Sequence, residues 1–173
     1  MIRTHSVLLA ILGFLALAGA AAADDLRWTR YDNGRFGYSI DVPAGLFAMQ
    51  PAPENNDGRD FAGRDGRSHL VVWGSYNALE QSPAEYAAFF AEDAGYGRVT
   101  YKVVKDDWLV LSGFRPSPRS DKPSERIFYM RVMFNRDHSA MSHFEISYEA
   151  DDKARFDPVV ARLVATMTAP ADN

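Results

Sequence analysis

Residues 127–134 read Ile127-Phe-Tyr-Met-Arg-Val-Met-Phe134, apolar at every position but Arg131. A strand with one wet face alternates apolar and polar side chains, whereas a strand covered on both faces is apolar at successive positions. This segment is of the second kind. It predicts a central strand with a layer of structure on either side.

Working outward, residues 99–105 and 108–114 are β-branched and aromatic runs around Asp106-Asp107, the pattern of a hairpin. In His143-Phe-Glu-Ile-Ser-Tyr-Glu149, Phe144, Ile146 and Tyr148 point one way and His143, Glu145, Ser147 and Glu149 the other, which predicts a half-exposed strand. Upstream, His69-Leu-Val-Val-Trp-Gly-Ser-Tyr76 is apolar on both faces, and residues 36–42 alternate up to Pro43 after the turn Asp32-Asn33-Gly34. These runs describe a sheet-rich domain with one core.

Between two of the strands lies Glu54-Asn-Asn-Asp-Gly-Arg-Asp-Phe-Ala-Gly-Arg-Asp-Gly-Arg-Ser68, dense in glycine, acid and arginine. A calcium loop around Gly58 would need carboxylates at alternate positions before it and a Glu six residues after; Pro53, Asn55 and Arg64 occupy key places. Neither G-x-x-x-x-G-K-[ST] nor G-x-G-x-x-G occurs here. Asn56-Asp57-Gly58 and Asp65-Gly66 are turn signals, with Phe61 the lone apolar anchor between them.

Two helices complete the pattern. Ser82-Pro83-Ala84-Glu85 is a capping box with Pro at the first helical position, and Tyr86, Phe89 and Phe90 follow at helical spacing, predicting a helix over 83–94 capped at Gly95. Asp157-Pro158 predicts the start of a second helix, entered through Phe156, with Val160, Leu163, Val164 and Met167 on one face and Arg162 on the other. Residues 169–173 are expected to fray. The fold class is therefore α+β, a predominantly antiparallel sheet packed with helices.

At the N-terminus, Arg3 and His5 precede an apolar run from Val7 that fades into Ala20-Ala-Ala-Ala23, the layout of a secretory signal peptide over residues 1–23 with cleavage after Ala23. Residues 24–173 then form a single α+β domain in the periplasm or secreted, with no membrane span once the leader is gone. A net charge of −4 with mixed signs gives no footprint for nucleic acid. The absence of cysteine excludes thiol nucleophiles, thiolate metal sites and disulfides.

No catalytic motif of the common kinds occurs, and no cofactor is called for. The concentrated basic residues are Arg115, Arg119, Lys122 and Arg126, around the proline-rich connection Arg115-Pro-Ser-Pro-Arg-Ser-Asp-Lys-Pro-Ser124; they are the candidate contact for another envelope protein. An alternative is an envelope hydrolase or metal-dependent enzyme, because His143 and Glu145 lie two apart on one strand face and His69 could join them from a neighbour. A further alternative is a small-ligand carrier with Tyr86, Phe89 and Phe90 lining its cavity. A packed core accounts equally for that stripe.

Tyr31-Asp-Asn-Gly-Arg-Phe-Gly-Tyr-Ser-Ile-Asp-Val-Pro43, Asn56-Asp-Gly58, Trp73-Gly-Ser-Tyr76 and Phe156-Asp-Pro-Val-Val-Ala-Arg162 resemble small exported bacterial proteins. More distantly, the strand ending at a proline and the late helix resemble the PsbP-like α/β/α sandwich of photosystem extrinsic subunits and of the DcrB group. That resemblance implies a role in binding or helping to assemble other proteins. It carries over no functional residue.

Overall fold

A computed structural model describes residues 26–93, 96–117 and 125–172. The predicted leader, the Gly95 cap and the tip of the proline-rich connection, including Arg119 and Lys122, lie outside the described residues.

The chain forms β1 (Trp28–Asn33), β2 (Tyr38–Pro43), β3 (Phe47–Met49), β4 (Gly58–Gly63), β5 (His69–Tyr76), α1 (Pro83–Glu92), β6 (Arg98–Val104), β7 (Trp108–Pro116), β8 (Glu125–Phe134) and β9 (Ala140–Glu149). A short 3-10 turn, Ala150–Asp152, leads into α2 (Lys153–Thr166). Strands β3-β4-β5-β9-β8-β7-β6 make a seven-stranded sheet, and β1-β2 a separate hairpin. Every pairing is antiparallel.

Residues 127–134 run to the end of β8, and both faces of the strand are covered. Phe128, Met130, Val132 and Phe134 join Leu109, Leu111, Met141 and Ala87 in a core beneath α1. Ile127, together with Phe144, Ile146 and Tyr148 of β9, joins a second core beneath α2 and the hairpin, to which Phe36, Tyr38, Ile40, Phe156 and Leu163 also contribute. Arg131 is accommodated on that second face by stacking on Trp108, 4.5 Å from the ring centre.

Each helix is placed by a few specific contacts. On α1, the Ser82 hydroxyl accepts from Glu85 N (3.3 Å) and the Glu85 carboxylate accepts from Ser82 N (2.8 Å), which closes the capping box. The second helix starts four residues before Asp157, so Pro158 lies inside it. Phe156, in that first turn, is fully buried and stacks on Tyr148 at 4.5 Å. Arg162 bonds Asp41 (2.9 Å) and covers Trp28, tying α2 to the hairpin.

Three differences from the sequence reading share a cause, the covering of surfaces by distant chain. Strand β9 is buried on both faces because it is the fourth of seven strands and α1 lies over the side bearing His143. Residues 58–63 form a strand, β4, between the two turns, and β1 and β3 add further short strands that the sequence pattern does not single out. Residues 168–172 do not fray. Thr168 N donates to Ser39 O, Ala171 N to Phe36 O, both at 2.9 Å, and Arg136 N donates to the Asp172 carboxylate.

Candidate functional site

Leu79, Phe89 and Tyr76 are large apolar side chains left 78%, 61% and 56% exposed. They converge on one shallow cavity of about 260 Å³, lined also by Gln81, Tyr86 and Met141. The β5–α1 connection makes this arrangement. Asn77 donates to Gln81 O and His138 O and accepts from Gln81 N, which fixes the loop and holds Leu79 outward. Helix α1 has Ala87 on its buried side and Phe89 on its open side.

An acidic rim adjoins this apolar surface. Glu80, Glu85 and Asp137 line a second depression that shares Tyr76, Asn77, Ala78 and Gln81 with the first. The Ser82 hydroxyl and backbone N–H hold the Glu85 carboxyl below the usual range, and the Ser139 hydroxyl and backbone N–H do the same for Asp137. Both are anionic at neutral pH.

The basic candidates separate. Arg115 is the last-but-one residue of β7, not part of an exposed loop: its guanidinium forms a two-pronged bond to Glu145 (2.7 and 3.0 Å) and its Nε donates to Tyr96 O. It is sandwiched against the rings of Tyr96 and Phe128, at 4.3 and 4.5 Å. Arg126 lies directly across from it in β8 and bonds the Ser147 hydroxyl at 2.9 Å. The Arg115 guanidinium is thus engaged within the fold.

The histidine constellation does not assemble. His143 is completely buried, stacked on Trp73 at 4.5 Å, with Nε2 2.9 Å from the Tyr86 hydroxyl and Nδ1 3.3 Å from Trp73 O. A carbonyl can only accept, so Nδ1 carries the proton and Nε2 accepts from Tyr86. Burial pushes its pKa down to about 3. Glu145 is held by Arg115 and the Tyr96 hydroxyl, and His69 pairs with Asp60 at 3.1 Å, opposite Ser147 and far along the strand from His143. Among the described residues, no three histidine or carboxylate groups are placed to hold a metal.

The aromatic stripe divides as well. Tyr86 and Phe90 pack inward, Phe90 against Tyr96 at 4.9 Å, and Phe89 faces outward. Sequence reasoning missed Leu79 and the outward turn of Phe89. The available signal was an isolated leucine in the polar stretch Asn77-Ala-Leu-Glu-Gln81.

No helix among the described residues is long and apolar enough to cross a membrane. The sequence matches no protein-family model and no curated protein. Among solved structures, the chain is similar to cyanobacterial PsbP (CyanoP) of Synechocystis sp. PCC 6803, at 14% identity and a TM-score of 0.57 over 83% of this chain and 93% of that one. It is similar also to the Saccharomyces cerevisiae Ran-binding protein Mog1p, at 9% identity and a TM-score of 0.56 over 83% and 95%. The element order, the covered sheet and these two likenesses agree: the chain has the PsbP-like α+β sandwich fold.

Proposed function

We propose that this protein is an exported, soluble accessory domain of the bacterial envelope that acts by binding another envelope protein. The observation that carries the reading is the Tyr76, Leu79 and Phe89 surface with its acidic rim. Apolar side chains exposed together on one patch mark an interaction surface more often than scattered ones do. The rim supplies electrostatic selection for a partner segment with apolar anchors and basic flanks.

Further support comes from the fold: one structural neighbour is described as a Ran-binding protein, so the same architecture is used for protein binding elsewhere. In the sequence, Arg119 and Lys122 of the proline-rich connection are a second candidate contact for the same kind of partner. Of the other two basic candidates, Arg115 is engaged with Glu145, and Arg126 bonds Ser147. The signal-like N-terminus is the support for periplasmic placement.

The test is site-specific photocrosslinking in intact cells from positions 79 and 89, with position 102 as control and mass spectrometry of the adducts. One identified envelope protein joined at both test positions, and lost from position 89 when Leu79 is changed to Asp, is the expected result. Equal labelling from all three positions, or none from any, overturns the reading.

A further inference from the structure

A separate cavity, of about 380 Å³, opens between the free outer edge of β1 and the β3–β4 end of the large sheet. It shares no residue with the surface proposed above. Its size is in the range of small-molecule sites, roughly 300–1,000 Å³. The antiparallel register places Phe47, Met49, Phe61 and Arg59 on one sheet face as its floor, and Tyr31 and Val42 of the hairpin form its wall.

The charges lining this cavity do not balance. Asp32 is taken by Arg30, whose Nε donates to it at 3.0 Å. Arg59 meets no carboxylate among the described residues. Its Nε is buried without a hydrogen-bond partner, its Nη1 has one long bond to Gly58 O (3.4 Å), and Tyr31 lies 6.0 Å away. A buried guanidinium nitrogen left unpaired is costly, and the group that answers it best is an anionic oxygen. The apolar floor calls for hydrocarbon. Both demands are met by one molecule with an apolar chain ending in a carboxylate.

We infer that this cavity binds a single-chain aliphatic carboxylate, its chain on Phe47, Met49 and Phe61 and its head group on Arg59. The arrangement is that of an amphiphile site: a mostly apolar cleft with one placed cation that fixes orientation. Such a ligand would leave the Tyr76, Leu79 and Phe89 surface open to a protein partner.

Isothermal titration calorimetry of the purified protein with sodium decanoate, decanol and decyltrimethylammonium tests this below the aggregation range of each probe. Saturable binding of decanoate, with decanol weaker and the cation weakest, is expected. Arg59→Met should weaken decanoate by roughly tenfold or more, the loss of a charge-assisted bond, and leave decanol unchanged. Met49→Asp, at a side chain 63% exposed on the cavity floor, should weaken decanoate without unfolding the domain and decides the matter if Arg59→Met does not fold. Decanol binding as tightly as decanoate, unchanged decanoate affinity in a folded variant, or no saturable binding overturns the inference.

Discussion

The Tyr86 hydroxyl donates to Nε2 of a wholly buried His143 across 2.9 Å, so helix α1 is joined to the central strand by a bond that requires the neutral imidazole. Protonation would put a proton on Nε2 facing another donor, in a site that burial already holds near a pKa of about 3. The unfolded chain titrates near 6.5. Between these values the unfolded state binds the extra proton and the native state does not. The contribution is complete above about pH 6.5 and is lost as pH falls, at about 1.4 kcal/mol per pH unit. His143→Gln should therefore flatten the acid limb of stability, read as melting temperature from pH 4 to pH 8.

Arg115 and Glu145 should behave as a structural pair. Arg115→Ala leaves a carboxylate that is only 14% exposed beside the Tyr96 ring, and unfolding in urea should show a loss of about 2–3 kcal/mol, less than for a fully buried pair. Replacing both residues by Met should recover part of it. A single variant as stable as the unaltered protein would contradict this role.

Gly74 lies under the ring of Phe36. A Cβ built there would come 2.4 Å from Phe36 Cγ and 2.5 Å from Cδ2, too close for either atom to stay. Gly74→Ala should lift Phe36, loosen the β1–β2 hairpin and lower stability by about 1–3 kcal/mol, measured by chemical denaturation.

Leu79→Asp and Phe89→Asp should leave stability within about 0.5 kcal/mol, because both side chains face solvent. Circular dichroism melting curves that overlay the unaltered protein are the expected outcome. A large drop would mean that these residues support α1 and not a partner.

How much of this was legible in the sequence depends on whether the deciding neighbour was local. The two-faced apolar run in β8 and the capping box at Ser82 carry their information within a few residues, and both appear as read. His143 looked half-exposed because alternation in β9 shows which residues share a face, and says nothing of α1, which comes from 57 positions away. Strand β4 was masked by the turn residues on both sides of it, and Arg59 gained its meaning only when β1 came alongside. The same applies to Arg115. Its charge marked it as a surface residue, and the carboxylate that occupies it is 30 positions away.

The tail that runs beside β2 gives the chain a sequence of events. Ser39 N is satisfied by the Thr168 hydroxyl, 129 positions later, and Phe36 O by Ala171 N. The β1–β2 hairpin can form early, but a two-stranded ribbon is marginal alone, and its seat is finished only when residues 168–171 arrive. Contacts so distant in sequence are slow to make. The core beneath α2 is therefore completed only after residues 168–171 have docked on the hairpin, a closure that joins the two ends of the described chain.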